Sequence, residues 1–445
     1  MTFVKRLLIV APIATAVIVS ASYVGWSSEP QTAVSLPLQR EVGVEVVQGP
    51  ATDRAQLERL VTAFEAKASV APNATVLTFL GQLYLQRGLE NGDAASYEQA
   101  RVALVRSSKL FANDPETRLS LASVLGTIHD FEGSLKITTR LLDENPKLPG
   151  AVALAGDALL ELGRYDDARA MYTRLLALSP QAPAAVARSA RLAYIEGDVD
   201  RARAAQSQAH DLAVDSALSG SALAWYSVAE ANLAWELGDY QATKLLAARA
   251  MREAPEYYLS RLVTARALEA NGDRVNAIQQ YERLVDRLPQ PEFVAALGSL
   301  YEASGRTADA RAQYETVNAI GAIGTAQGQL FNRQISLFNA DHDVDAAKAL
   351  RFAEAELKVR KDVFGWDAYA WALHANGRDN DAVDAIRRAL ALKTPNARML
   401  YHAGVIASAV GDTEMAKLHL RGALDLNPAF DPLQSQAARK LLGSL

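Results

Sequence analysis

The sequence predicts an all-α chain, a solenoid of stacked helical hairpins, on three observations. A Gly-polar turn recurs at Gly163-Arg164, Gly238-Asp239, Gly272-Asp273, Gly305-Arg306, Gly377-Arg378 and Gly411-Asp412. Five residues after each glycine stands a small residue, and the series Ala100, Ser134, Ala168, Ala202, Thr243, Ala277, Ala310, Ala347, Ala382 and Ala416 has gaps of 34, 34, 34, 41, 34, 33, 37, 35 and 34 residues. Half of the residues (50%) are apolar and only 7% aromatic. Together with abundant alanine, that composition suits closely packed small-residue helices better than a sheet sandwich.

At 445 residues the chain is several domains or one elongated array. Its 46 basic and 51 acidic residues leave a net charge of -5, too balanced for an electrostatic nucleic-acid binder. The absence of cysteine removes disulfides, thiolate metal sites, a cysteine nucleophile and a lipid-bearing cysteine.

The first element, residues 1–28, is a targeting segment. Lys5-Arg6 precede an uncharged run from Leu7 to Ser28, an order that leaves the start in the cytoplasm and exports the rest. Two readings stand: a signal peptide cleaved after Val19-Ser20-Ala21, or a retained anchor spanning residues 7–26. Either gives an extracytoplasmic protein, periplasmic, cell-surface, secreted or membrane-tethered, with membrane contact only through this segment. Residues 29–52, carrying Pro30, Pro37 and Pro50, read as a flexible tether, in which Glu41 to Val46 alternates for one short strand's length without a visible mate. A leading helix follows over 53–73, with Asp53 as N-cap and Leu57, Leu60, Val61 and Phe64 at helical spacing.

A second small series sits 12 residues before the first in nearly every unit: Ala122, Gly156, Ala190, Ala231, Ala265, Gly298, Ala370 and Gly404, with Ile335 the large exception and Gly81 displaced by an insertion over 87–94. Two helices approach closely only where both carry small side chains, so Gly156 and Ala168 are expected to face each other. Tyr84, Leu125, Leu159, Leu268, Tyr301, Phe338 and Leu373 follow the first small position by three residues. Pro146, Pro180, Pro255, Pro289 and Pro428 close units because proline cannot continue a helix.

This pattern resembles the tetratricopeptide repeat (TPR) family over residues 74–430. About ten units are read: 74–114, 115–148, 149–182, 183–216, 224–257, 258–290, 291–324, 328–361, 363–396 and 397–430. A spacer lies at 217–223, and the closing proline is lost at Val214, Ala322, Val359 and Thr394. Residues 431–445, with Leu433, Ala437, Leu441 and Leu442, read as the C-terminal capping helix that an open solenoid requires.

The resemblance implies a right-handed superhelix whose first helices line a concave face that binds extended peptides or helices of protein partners. The outward steps of those helices are Asp157, Arg191, Tyr194, Trp225, Asn232, Trp235, Arg266, Glu269, Glu302, Asn332, Asn339, Asp367, Trp371, His374 and Tyr401. Trp235 and Trp371 are placed toward the groove as partner anchors, with packing between repeats as the other reading, whereas Trp366 is placed in the core. No lysine stands among these positions, so the lysine clamp by which some members of the family hold a terminal carboxylate is not expected.

Catalysis, cofactors and metals are not expected. The six histidines are scattered, no phosphate-cradling or nucleophile-elbow motif occurs, and Asp341-His342-Asp343 reads as solvated turn chemistry. The function expected is an exported scaffold for protein partners, in envelope assembly, secretion or polysaccharide export. A small-ligand-binding or enzyme-accessory protein using the groove as a pocket is the rival, and a structural spacer the third reading.

Overall fold

The computed structural model describes residues 54–326 and 332–445. The targeting segment, the tether and the Asp53 cap lie outside the described residues. Within them the chain is helical, with no strand.

A leading helix α1 (Arg54–Val70) precedes consecutive helices that pair as hairpins. They are α2 (Ala74–Asn91) with α3 (Ala94–Leu110), α4 (Pro115–Thr127) with α5 (Phe131–Glu144), α6 (Pro149–Glu161) with α7 (Tyr165–Leu178), and α8 (Pro183–Ile195) with α9 (Val199–Asp215). Then come α10 (Gly220–Glu236) with α11 (Tyr240–Glu253), α12 (Tyr258–Ala270) with α13 (Arg274–Arg287), and α14 (Pro291–Ala303) with α15 (Thr307–Ala326). The last pairs are α16 (Asn332–Asp341) with α17 (Ala346–Val359), α18 (Val363–Ala375) with α19 (Asp379–Ala389), and α20 (Ala397–Ala409) with α21 (Thr413–Leu426), before α22 (Gln434–Ser444).

Local chemistry sets the ends of these helices. Pro115, Pro149, Pro183 and Pro291 open first helices at a position whose amide has no helical partner. Asp198, Asp239, Asp273 and Asp412 cap second helices by accepting from the amide three residues on. The glycine just before each of these caps has a positive φ, which costs glycine little. Where the closing proline is missing at Ala322 the helix simply runs on, making α15 20 residues long. The insertion over 87–94 is absorbed in the same way, by lengthening α2 to 18 residues.

Two packing details correct the sequence reading. Gly156 faces the Tyr172 ring rather than Ala168: a Cβ there would lie 2.5 Å from Tyr172 Cε1. The same offset recurs, with Gly81 under Leu104, Gly298 under Tyr314 and Gly404 under Leu420, each partner one turn beyond the small residue of the second helix. The small residue of α17 is also misplaced, since Ala347 is exposed while Ala349 is fully buried. Ala349 stands four residues after the N-cap Asp345, as Ala202, Thr243, Ala277 and Ala416 stand four after theirs.

The solenoid closes on itself. The turn after α6 touches the segment before α18, where Lys361 N donates to the Glu161 carbonyl and Val363 N to the Tyr165 hydroxyl at 2.8 Å. The turn after α8 meets the segment before α20, with Thr394 Oγ1 donating to the Ile195 carbonyl and the Tyr194 hydroxyl to that of Pro395. The turn after α10 meets the end of α21: the Tyr240 hydroxyl donates to Asn427, and Asn427 Nδ2 to the Trp235 carbonyl at 2.7 Å. An apolar cluster joining Leu160, Tyr194 and Ile195 to Val363, Phe364 and Met399 runs across the same seam.

Candidate partner-binding site

Packing within and between neighbouring units, and across the seam for Tyr194, decides what the predicted groove positions face. Tyr194, Trp225, Asn232, Asn332, Asn339, Asp367, Trp371 and Tyr401 are buried, so they do not line an open track. Trp225 packs edge-on against Tyr226. Asn339 donates to the carbonyl of Ile335 on its own helix. Trp371 stacks on His402 at 4.2 Å and donates from Nε1 to Asp341 at 2.8 Å, while Asp367 meets His402 Nδ1 and Tyr401 lies against Phe430. His374 is half-buried on Asp379 and stacks on Trp371, and Glu302 is exposed and accepts from the Tyr314 hydroxyl. Trp366, placed in the core by sequence, is half-buried beneath the Arg388 guanidinium. Asp341 is no solvated turn residue, for it also accepts from Gln434 at 2.6 Å.

Arg191 belongs to a buried ionic cluster across the seam. It pairs with Glu161, which pairs with Arg360 at 2.9 Å. Arg333 pairs with Glu356 at 3.0 Å and with Asp362 at 2.6 Å, and Arg360 approaches Glu356. Three guanidiniums and three carboxylates balance. Burial alone would raise Glu161, yet Arg191, Arg360 and Arg333 outweigh it and hold the carboxyl down at about 2. Glu161, Arg333, Glu356, Arg360 and Asp362 were not identified from sequence. Their signal is a charge at a buried helical step, which becomes visible only once the closing geometry is known.

Two cavities among the described residues are lined by the predicted groove positions. One, of about 180 Å³, is lined by Trp235, Arg266, Glu269, Arg333, Asp341 and Arg398 among others, together with residues 430–434. Arg266 donates to Asn232 and Glu292 and lies 5.0 Å over the ring of Trp235, so this expected anchor and the groove arginine beside it are engaged internally. Burial pushes Glu236 up to about 7, and burial with the nearby Asp431 pushes Glu269 up to about 8.

The other cavity, of about 310 Å³, opens along α4, α6 and α8. Its floor carries Gly126, Gly150, Ala153, Ala158 and Ala184. Its wall is the fork of Arg188 on Asp157, with Nε and Nη2 both at 2.9 Å, braced by the Tyr172 hydroxyl at 2.8 Å. Asp157 is therefore the predicted groove residue that stands at an open cleft, half-buried beside Arg188, which the sequence reading passed over. Among the described residues no group of three or more acids and histidines converges as a metal site would require.

Comparison with known proteins bears on the same units. The family profile described as "Tetratricopeptide repeat" matches residues 154–216 and 228–292, and a second of that description matches 397–430. A thermophilic TPR protein of Thermus thermophilus is 20% identical, covering 44% of this chain and 98% of its own, with a TM-score of 0.39. A tetratricopeptide repeat protein of Parabacteroides merdae is 16% identical over 53% of this chain and 86% of its own, TM-score 0.39. A human IFIT1 dimer with m7Gppp-AAAA is 12% identical over 84% of this chain and 96% of its own, TM-score 0.44. No curated protein matches the sequence.

Proposed function

Because this chain belongs to the tetratricopeptide-repeat family, whose arrays generally mediate protein-protein contacts without catalysis, we propose that it is a scaffold that seats a protein partner in the open cleft of α4, α6 and α8. The observation that carries this is the cleft itself. It opens along the first helices of three successive units, its glycine and alanine lining lets a backbone approach closely, and the Arg188–Asp157 pair sets a polar wall beside it. About 310 Å³ is at the lower edge of what small-molecule sites occupy, and the 180 Å³ cavity falls below it, which favours side chains of an extended peptide over a metabolite.

Lys5-Arg6 before the uncharged run support export, and the scaffold then works in the cell envelope, in assembly or secretion. A reporter active only outside the cytoplasm, fused after Leu445, should be active. For the cleft, partner capture from solubilised envelope by the wild-type chain is compared with capture by Arg188→Ala and Ala184→Trp. Each variant should weaken capture of the same partner about thirtyfold, near 2 kcal/mol, while its melting temperature holds. Equal capture by all three chains removes the cleft from the binding surface.

A further inference from the structure

The segment between α21 and α22 does more than a solenoid cap requires. A cap needs to cover only the last hairpin, here α20 and α21, and α22 does that. Residues 427–434 instead reach inward to two other units, that of α10 with α11 and that of α16. Asn427 bonds the Trp235 carbonyl and accepts from the Tyr240 hydroxyl, and Ala429 N donates back to that hydroxyl at 2.8 Å. Phe430, 4% exposed, lies 5.7 Å from the Tyr401 ring. Asp431 meets Arg398 at 3.2 Å, and Gln434, from the start of α22, donates to Asp341 on α16. Outside its few turn bonds the segment makes no regular backbone pairing, and its contacts are an aromatic anchor followed by polar side chains. That is the contact pattern by which an extended peptide occupies a groove.

We propose that residues 427–434 are a displaceable internal plug, and that the seat they fill on α10, α16, α18 and α20 is a second partner site for an extended segment presenting an aromatic anchor and then a hydrogen-bonding side chain. The proposal rests on the scaffold reading above but on a different surface, so each can fail alone. The occupant's character is read from what the seat already holds. Tyr401, itself packed on Trp371, offers its ring to the anchor, Asp341 accepts from the side chain four residues later, and the Tyr240 hydroxyl with the Trp235 carbonyl holds the backbone end.

The seat also favours exchange. Six carboxylates, of Glu236, Glu269, Glu292, Asp341, Asp367 and Asp431, face three guanidiniums in the adjoining cavity, and the plug itself supplies one of the six. A partner segment without that acid gives up the Arg398 pair but relieves the repulsion that Asp431 exerts on Glu269. A tethered plug competes at the millimolar effective concentration of a short connection, so even modest affinity keeps the seat closed until a better-matched segment arrives.

A fluorescein-labelled peptide of residues 427–445 tests this against the full chain, read by fluorescence anisotropy. Full-chain Phe430→Ala should bind the peptide at least tenfold more tightly than wild type, because its own plug has lost the anchor. Arg188→Ala should bind it as wild type does. In parallel, native-state hydrogen exchange on the wild-type chain should show the Ala429 amide exchanging at least a hundredfold faster than the amides of α20. The same peptide affinity in Phe430→Ala and wild type overturns the proposal. So does an Ala429 amide as protected as α20, which would make the segment a permanent part of the core, and this second readout holds even if Phe430→Ala does not fold.

Discussion

Glu161 is the residue on which the closed geometry leans hardest. Its carboxylate neutralises Arg191 from the neighbouring unit and Arg360 from across the seam, and all three side chains are almost without solvent. Removing one member of a buried ion pair leaves the other charge desolvated and unanswered, which costs far more than the pair contributes. Glu161→Gln is therefore expected to lower stability by about 3–5 kcal/mol in urea titration, whereas Arg164→Ala, an exposed pair with Asp167, should stay within about 0.5 kcal/mol.

The carboxyls behave oppositely with pH. Glu161 is held below its ordinary value of 4.5, so the stability it contributes is present above that value and is lost as pH falls toward 2. Glu269 and Glu236 are held above 4.5, so the folded state favours their protonated forms, and stability is lost as pH rises through about 7 to 8. The urea midpoint should thus decline between about pH 5 and 8, and Glu269→Gln should flatten that decline. An unchanged slope would place Glu269 in an ordinary aqueous setting.

At the scale of the element, the hairpin contact is a knob from the second helix set over a small residue of the first. Gly156→Ala puts a methyl into the Tyr172 ring, which is 2% exposed and tied to Asp157, so it should cost about 1–3 kcal/mol. Gly126→Ala meets nothing nearer than 3.8 Å and should be neutral or stabilising by up to about 1 kcal/mol, since alanine is the better helix former. Thermal melts of the two variants should move apart.

This level was largely legible in the sequence, because hairpin contact demands small residues at a fixed spacing and spacing survives in one dimension. The slip at α17 had a local cause, for the residue with positive φ in that turn, Asp343, stands two residues before the Asp345 cap instead of one, while the cap kept the true register to Ala349. The site was far less legible. Whether Arg191 or Tyr194 meets solvent depends on contacts with segments about 200 residues away along the chain, to which the spacing within a repeat is blind.

For the whole molecule, the seam changes how the solenoid holds together. An open repeat array is stabilised by neighbours alone, so its stability is a sum of units and interfaces and its ends fray first. Here the turns at Gly163, Gly197 and Gly238 each bear on a segment five units later, so units at the two ends of that span support each other. A matched set of glycines isolates this term. All of Gly163, Gly197, Gly238, Gly272, Gly377 and Gly411 have positive φ, so alanine at any of them carries the same backbone cost of about 1–2 kcal/mol. A side chain at the first three would also run into backbone at Lys361, Lys393 or Leu426, while at the last three nothing lies within 4 Å. The first three alanine variants should therefore lose about 1–3 kcal/mol more than the last three. They should also unfold with a smaller urea m-value, because a seam forced apart lets the two halves unfold separately. In small-angle scattering the same three variants should show a longer maximum dimension than wild type, and the other three should not. Six equal losses with unchanged m-values would mean that the turns only touch and that the array is held, unit by unit, as an open solenoid is.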